Sequence, residues 1–303
     1  MAGHWTDTFS FLTGSIRDKE CCYIILLTDE AEKRNLASSG IVQWVPEGWA
    51  DGGQVHWRTI GTALTKTPLI QLIAVGENGN LLLIGSGDRH EEMIEIENYT
   101  WKKRGKLRNV KNIDDLIFVV GMDRQVYKRN EIGNWELFEN GIEPNTTKNV
   151  YGFESIDGFS KDSLYAVGWE GEIWNFEKDV WKLQNSPTND ILVDVCCAGN
   201  SYVYACGRQG LILRGKNGNW EILNQNNFSE DIWSIVWFNE KLYCATMTEI
   251  YTLNDNNILE YENMGEDSAK TCYKLDVRDG VLWSFGKKDL MSFDGLNWTR
   301  IDG

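Results

Sequence analysis

Short apolar runs alternate with polar turns along the chain, most regularly between Leu192 and Leu223. Within this stretch, apolar and polar residues alternate at every second position. The runs cover residues 191–197, 202–206, 211–214 and 220–223, and the turns between them are rich in glycine and asparagine. This pattern predicts four short antiparallel strands. One such unit cannot bury both of its faces, so it must pack against copies of itself.

Copies of the unit recur along the chain with a fixed spacing. Trp181, Trp220, Leu259 and Trp298 occupy the same place in the fourth strand, each 39 residues from the next. Looser copies upstream give the remaining anchors, Trp57, Trp101 and Trp135. Seven four-stranded units in 303 residues are typical of a β-propeller, whose blades contain about 40 residues each. The sequence therefore predicts an all-β fold, a seven-bladed β-propeller of four-stranded antiparallel blades, with the anchors packed between neighbouring sheets.

The repeat covers the whole chain, so we expect one domain over residues 1–303. The blades are predicted at approximately 4–60, 69–104, 107–139, 149–184, 191–224, 231–262 and 271–303. The first residues supply the inner strand of blade one, and the ring closes without a shared blade; alternatively, residues 4–8 add a strand to the last blade. Residues 69–79 are predicted as the inner strand of blade two. A polar insertion at 29–40 is predicted to hold a short helix from Glu30 to Leu36.

One face of a propeller carries both the turns after the second strands and the connections after the fourth strands. We expect a partner to bind there, through Asp88, Arg89, His90, Asp123, Arg124, Trp169, Glu170, Arg208, Gln209, Glu230, Asp231, Met247, Lys287 and Lys288. Cationic turns beside acidic connections suit recognition of a protein better than of one small anion. Trp169 is the best anchor candidate, because the repeat needs no aromatic residue at that turn.

Charge and cysteine content indicate the class of partner and the cellular compartment. The chain has 30 Lys and Arg against 45 Asp and Glu, a net charge of −15. This balance disfavours nucleic acid or an anionic membrane as the partner and suits a basic protein. Seven cysteines, several inside apolar runs, indicate buried thiols in a reducing compartment. With neither a basic leader nor a long apolar run, we expect a soluble cytoplasmic protein that is monomeric when free.

The motifs of common catalytic and cofactor sites are missing from the sequence. His4, His56 and His90 are the only histidines and share no ligand spacing, so no metal site is predicted. The scarcity of histidine disfavours a nucleophilic triad, and no glycine-rich phosphate loop opens a helix. We therefore expect no cofactor. Paired carboxylates remain an open alternative, because a ring could bring two acidic residues together without a linear motif.

Two of the regular units carry a recognisable repeat. SLYAVGWEGEIWNFEKDVWKL (163–183) and YVYACGRQGLILRGKNGNWEIL (202–223) resemble a bacterial propeller repeat of the form hYAVGxxGxI followed by Trp, over residues 107–303. Its group is related to photosystem-assembly and sialidase-like repeat propellers. The resemblance implies a propeller of a group that is mostly non-catalytic and binds other molecules. Blade six departs from the repeat at Thr246 and Leu259, which predicts looser local packing.

These observations favour a non-catalytic propeller that binds another protein. The most concrete hypothesis is a stoichiometric inhibitor, such as a bacterial immunity protein that neutralises a basic toxin. One alternative is a carbohydrate-binding or glycoside-cleaving propeller, in which Arg89, Arg124 and Arg208 would clamp an anionic sugar. The sialidase-type turn Ser-x-Asp-x-Gly-x-x-Trp is missing from every blade, which counts against it. A scaffold for complex assembly is the other alternative.

Overall fold

The computed structural model describes residues 8–95, 104–143, 151–223 and 228–303. Within these residues, the strands form seven antiparallel sheets, and each sheet consists of four strands that are consecutive along the chain. The predicted seven-bladed β-propeller is therefore confirmed.

The first three sheets contain strands β1 to β12. Sheet one contains β1 (Phe9–Asp18), β2 (Cys21–Thr28), β3 (Ser39–Val45) and β4 (Gly48–Val55). Sheet two contains β5 (Thr59–Thr65), β6 (Gln71–Gly76), β7 (Asn80–Gly85) and β8 (Asp88–Met93). Sheet three contains β9 (Leu107–Ile113), β10 (Leu116–Gly121), β11 (Gln125–Glu131) and β12 (Asn134–Leu137). In each sheet the first strand is the inner one and the fourth strand is the outer one.

The last four sheets follow the regular part of the repeat. Sheet four contains β13 (Phe153–Ser160), β14 (Ser163–Gly168), β15 (Ile173–Glu177) and β16 (Val180–Leu183). Sheet five contains β17 (Leu192–Cys197), β18 (Val203–Gly207), β19 (Ile212–Lys216) and β20 (Asn219–Ile222). Sheet six contains β21 (Ser234–Phe238), β22 (Lys241–Ala245), β23 (Ile250–Leu253) and β24 (Leu259–Tyr261). Sheet seven contains β25 (Tyr273–Arg278), β26 (Val281–Gly286), β27 (Leu290–Phe293) and β28 (Trp298–Arg300).

A short helix, α1 (Asp29–Lys33), lies in the polar insertion between β2 and β3. It begins where the N–H of Ala31 donates a hydrogen bond to the Thr28 hydroxyl, at 3.0 Å. A short helix was predicted here, but it ends at Lys33 rather than Leu36, because Asn35 has a left-handed backbone with φ of 51°. In the described residues no helix has the length and apolar character needed to cross a membrane.

The predicted boundary between blades one and two is wrong. Residues 59–65 form β5, the inner strand of sheet two, and residues 71–76 form its second strand. Trp57 is therefore not a fourth-strand anchor but lies in the connection after β4, packed against Gly76. The cause is β4, which is rich in glycine and polar residues and mostly exposed, so its sequence lacks the apolar alternation of a strand.

The other anchors lie in outer strands and contact the preceding blade, except Trp101, which is outside the described residues. Trp135 and Trp181 are buried, whereas Trp220, Leu259 and Trp298 are partly buried. The Trp181 Nε1 donates a hydrogen bond to the Phe138 carbonyl of sheet three, at 2.9 Å. The Trp135 Nε1 lies 3.3 Å from the Glu92 carboxylate of sheet two. These tryptophans therefore join each blade to its predecessor.

Among the described residues, the ring closes by direct contact between the first and seventh blades, without a shared sheet. The N–H of Phe11 donates to the Lys287 carbonyl at 2.9 Å, and the N–H of Ile16 donates to Asp276 Oδ2 at 2.9 Å. The alternative with an extra strand on the last blade involves residues 4–7, which lie outside the described residues; Thr8 belongs to no strand.

We expect Lys288→Ala to weaken this closure. The Lys288 Nζ contacts both carboxylate oxygens of Asp29 at 2.8 Å, across the junction of blades seven and one. Both side chains are partly exposed, so solvent screening limits the loss in free energy of unfolding to about 1 kcal/mol. Urea unfolding would measure it, with Lys241→Ala, an exposed lysine in β22, as the control. Equal midpoints for the two variants would show that the ion pair does not hold the junction.

Candidate protein-binding face

The turns after the second strands and the connections after the fourth strands lie on one face of the ring, because consecutive strands are antiparallel. We call this the turn face; its turns comprise residues 29–38, 77–79, 122–124, 169–172, 208–211, 246–249 and 287–289. Backbone hydrogen bonds tie turns to neighbouring connections, as between the Gly210 N–H and the Glu230 carbonyl at 2.7 Å. The first strand starts on this face and the last strand ends on it.

Most of the predicted partner-binding residues lie on the turn face. The second-strand turns carry Asp123, Arg124, Trp169, Glu170, Arg208, Gln209, Met247, Lys287 and Lys288, and a connection carries Glu230 and Asp231. Whether they bind a partner stays a prediction.

The predicted positions of Asp88, Arg89 and His90 are wrong. These residues lie in β8, the outer strand of sheet two, whereas the second-strand turn of that blade is residues 77–79. The Arg89 Nη1 donates to the Gly52 carbonyl in the neighbouring outer strand β4, at 2.6 Å. The error follows from the wrong boundary between the first two blades, which assigned the β7–β8 hairpin to the second-strand turn.

Several charged residues of the turn face are paired within the chain. The Arg124 Nε donates to Glu172 Oε2 at 2.7 Å, and its guanidinium lies 4.5 Å from the centre of the Tyr151 ring. The Arg104 Nη1 donates to Glu139 Oε1 at 2.8 Å. Burial raises the pKa of Glu139, and the Arg104 guanidinium only partly offsets that rise. These pairs stabilise the face, and their charges are already compensated.

Between sheets four and six, the exposed charges of the turn face have no ion-pair partner in the described part of the chain. They are Glu170, Asp190, Arg208 and Glu230. Met247 is 51% exposed in the next second-strand turn along the ring. Three carboxylates and one guanidinium make this sector of the turn face acidic.

The turn face has a central opening that sequence reasoning did not identify. Each blade contributes one residue to the rim of this opening, from near the start of its inner strand. The seven residues are Leu12, Ile60, Arg108, Glu154, Val193, Trp233 and Tyr273. We call these seven residues the channel mouth. They line part of a cavity of about 220 Å³ that continues between the inner strands. The predicted anchor Trp169 adjoins it, since its Nε1 donates to Glu154 Oε1 at 2.6 Å.

The channel mouth combines aromatic surface with polar groups. The Trp233 and Tyr273 rings are 5.5 Å apart, and Tyr273 is 39% exposed. The Arg108 Nε and the Trp233 Nε1 are buried atoms that form no hydrogen bond among the described residues, although the Arg108 Nε lies 3.5 Å from Glu154 Oε1 in an ion pair. Aromatic side chains at the centre of a binding surface, surrounded by polar residues, are typical of protein interfaces.

Below the channel mouth, the Asp194 carboxylate joins four successive blades. It accepts hydrogen bonds from the Ser155 hydroxyl at 2.7 Å, the Ser234 hydroxyl at 3.0 Å and the Ile235 N–H at 3.1 Å, and it contacts the Lys274 ammonium at 3.3 Å. Burial alone would raise the pKa of Asp194. The nearby Lys274 and Lys111 ammonium groups and the hydrogen bonds outweigh burial, so its pKa is lowered.

Two further carboxylates hold adjacent inner strands together. Asp157 Oδ2 accepts the Cys197 N–H at 2.8 Å, and Asp276 accepts the Ile16 N–H. Burial raises the pKa of Asp157, with partial compensation by Lys111. Among the described residues, no group of three His, Cys, Asp or Glu side chains could hold a metal ion. These carboxylates accept hydrogen bonds from the neighbouring inner strands, which gives them a role in joining blades.

The fold defines a class, the seven-bladed β-propellers. The chain matches no protein-family model. Among solved structures it is similar to YCF48 from Cyanidioschyzon merolae, with a TM-score of 0.70, 12% identity and coverage of 94% and 95% of the two chains. It is also similar to the WD40 propeller domain of Doa1, with a TM-score of 0.66, 12% identity and coverage of 99% and 94%. At this level of identity, both similarities show the fold alone.

A curated relative shows the family. The chain is 39% identical over 299 residues to the immune protein Tsi7 of Pseudomonas aeruginosa strain PAO1, and the match covers 97% of each protein. The chain therefore belongs to the family of this immune protein.

Proposed function

We propose that the protein is a bacterial immunity protein that binds a toxin and neutralises it without catalysing a reaction. The observation that carries this proposal is the 39% identity to the immune protein Tsi7 over 97% of the chain. Because the match spans the whole propeller, the comparison applies to the complete ring and not to one shared blade.

The composition of the turn face supports a basic toxin as the partner. Trp169 and Met247 supply apolar contact area, and the unpaired Glu170 and Glu230 carboxylates lie in the same sector. The net charge of −15 also favours a basic partner and disfavours binding to nucleic acid or to anionic membranes. We further propose that the free protein is a monomer in the cytoplasm, where its buried free thiols suit a reducing environment.

Two of the three arginines on which the carbohydrate alternative rests are not placed to bind a sugar. Arg89 lies on an outer strand, where it donates to the Gly52 carbonyl. Arg124 is held by Glu172. Of the three arginines expected to clamp a sugar, only Arg208 is exposed on the turn face and has no ion pair in the described part of the chain.

Co-expression with candidate toxins tests the proposal. Proteins encoded beside this gene in its native host would be produced with and without it. We expect one of them to stop growth alone, to be tolerated with this protein, and to co-purify with it as a stoichiometric complex in size-exclusion chromatography with light scattering. If every toxic neighbour stays toxic and none co-purifies, the protein does not act as an immunity protein toward them.

We expect the association rate with a basic toxin to fall by roughly tenfold or more between about 50 and 500 mM salt, because salt screens exposed charges. Surface plasmon resonance would measure the rate. A double variant with Glu170→Lys and Glu230→Lys should associate more slowly and with less salt dependence. The control is Asp162→Lys, an exposed position between β13 and β14 on the opposite face. Salt-independent association of the wild-type protein would exclude steering by charge.

A further inference from the structure

The channel mouth leads into a cavity lined by charged groups of both signs. The lining carries three carboxylates, Glu154, Asp194 and Asp276, and three cations, Arg108, Lys111 and Lys274. A fourth carboxylate, Asp157, interacts with Lys111. Lys274 pairs with Asp194 at 3.3 Å. Within the described chain, Asp276 forms no ion pair within 4.0 Å and accepts only the Ile16 N–H. With Asp157 included, four carboxylates face three cations, so the group is one positive charge short of neutrality.

The walls of the channel mouth suit a long side chain. Leu12, Ile60 and Val193 give an apolar lining on part of the ring, and Trp233 and Tyr273 give aromatic surface on another part. Cavities of about 150 Å³ admit a molecule the size of benzene. At about 220 Å³, this cavity has room for one long side chain.

Two buried N–H groups at the channel mouth, the Arg108 Nε and the Trp233 Nε1, form no hydrogen bond within the described chain. The Arg108 Nε lies 3.5 Å from Glu154 Oε1 in an ion pair, so the Trp233 Nε1 is the donor that a bound acceptor would satisfy. A buried donor without an acceptor is unfavourable, so a bound group that offers oxygen atoms would gain binding free energy there. Main-chain carbonyl groups at the tip of a protruding loop have the required chemistry.

We propose that the toxin inserts a lysine or arginine side chain from a protruding loop into the channel mouth; this proposal rests on the immunity function proposed above. The aliphatic part of the inserted side chain packs against Trp233 and Tyr273. Its charged end supplies the missing positive charge beside Asp276. A loop carbonyl accepts a hydrogen bond from the Trp233 Nε1. An acidic side chain would instead meet three carboxylates.

Asp276→Asn tests this proposal, with Asp279→Asn as its matched control. Both aspartates accept a backbone N–H from β1 or its following turn, Asp276 from Ile16 at 2.9 Å and Asp279 from Lys19 at 3.1 Å. Asparagine keeps an acceptor oxygen in each case and removes the charge. Asp279 lies at the β25–β26 turn, on the face opposite the channel mouth. We expect Asp276→Asn to raise the Kd for the toxin by about tenfold or more and Asp279→Asn to leave it within about twofold.

Trp233→Phe provides a second, independent variant. It keeps the aromatic surface and removes the N–H, so we expect Kd to rise by about fivefold. Circular dichroism and thermal unfolding would establish that each variant is folded. If the wild-type protein binds and neutralises a toxin while Asp276→Asn and Trp233→Phe bind it equally well, insertion is disproved and the proposed function stands. If the wild-type protein binds no toxin, the proposed function fails first.

Discussion

Replacing Asp194 with alanine should lower the free energy of unfolding by about 3–5 kcal/mol. Asp194 is 5% exposed, and its carboxylate accepts hydrogen bonds from Ser155, Ser234 and the Ile235 N–H. Its removal leaves those groups without their acceptor and leaves the Lys274 ammonium without its ion pair. Because these contacts connect sheets four to seven, the loss should appear as reduced stability of the whole ring. Urea unfolding followed by tryptophan fluorescence would measure it.

Two further variants separate the charge of Asp194 from a general effect of mutation. Asp194→Asn keeps an acceptor oxygen and should cost less than alanine. Asp255→Ala, at an exposed turn, should change stability by no more than about 0.5 kcal/mol. Because the pKa of Asp194 is lowered in the folded state, its charge stabilises the fold above the ordinary aspartate pKa, and this contribution disappears as pH falls through the lowered value. The wild-type advantage over Asp194→Asn should therefore shrink in acid. Equal stabilities of Asp194→Ala and Asp255→Ala would refute the joining role.

Trp169→Ala should weaken toxin binding by about 2 kcal/mol or more, roughly 30-fold in Kd. The indole is partly exposed in the second-strand turn of sheet four, and its N–H donates to Glu154 at 2.6 Å. This hydrogen bond fixes the ring next to the channel mouth before a partner arrives. A pre-oriented aromatic side chain loses little conformational entropy on binding, which is why such residues dominate interface energies. Isothermal titration calorimetry with the purified toxin would measure the change.

Trp49→Ala is the matched control for Trp169. Trp49 is also exposed, at 36%, but lies on the outer strand β4, away from the turn face. We expect its replacement to leave Kd unchanged. Trp169→Phe should fall between the two, because it keeps aromatic area and loses the hydrogen bond to Glu154. Unchanged affinity for Trp169→Ala would show that the toxin does not bind next to the channel mouth.

The sequence predicted the blades well where apolar alternation is strong. For the fourth strand of sheet five, residues 220–223 were expected, and β20 covers Asn219–Ile222. The fourth strand of sheet one was missed because β4 contains glycines and polar residues whose exposed side chains give no alternation. Its stability comes from pairing with β3, a contact that a local pattern does not show. Because this strand was missed, the predicted boundary of blade two moved along the chain, and Asp88, Arg89 and His90 were assigned to the wrong turn.

The channel mouth could not be predicted from a linear motif. Arg108, Glu154, Trp233 and Tyr273 belong to four different blades, and only the closed ring brings them together. Their shared position along the repeat could have identified them, because each lies at or next to the start of an inner strand. The pairing of Arg124 with Glu172, 48 residues apart, was likewise outside the reach of the repeat pattern. Which charges are compensated depends on contacts between blades.

Since the first strand starts and the last strand ends on the turn face, a tag or fluorescent protein fused at either end would project beside the surface proposed to bind the toxin. Such a fusion could block the toxin while the propeller itself folds normally. The β19–β20 hairpin at Asn217 and Gly218 is exposed on the opposite face and offers a better attachment site. Labels for imaging or immobilisation belong there.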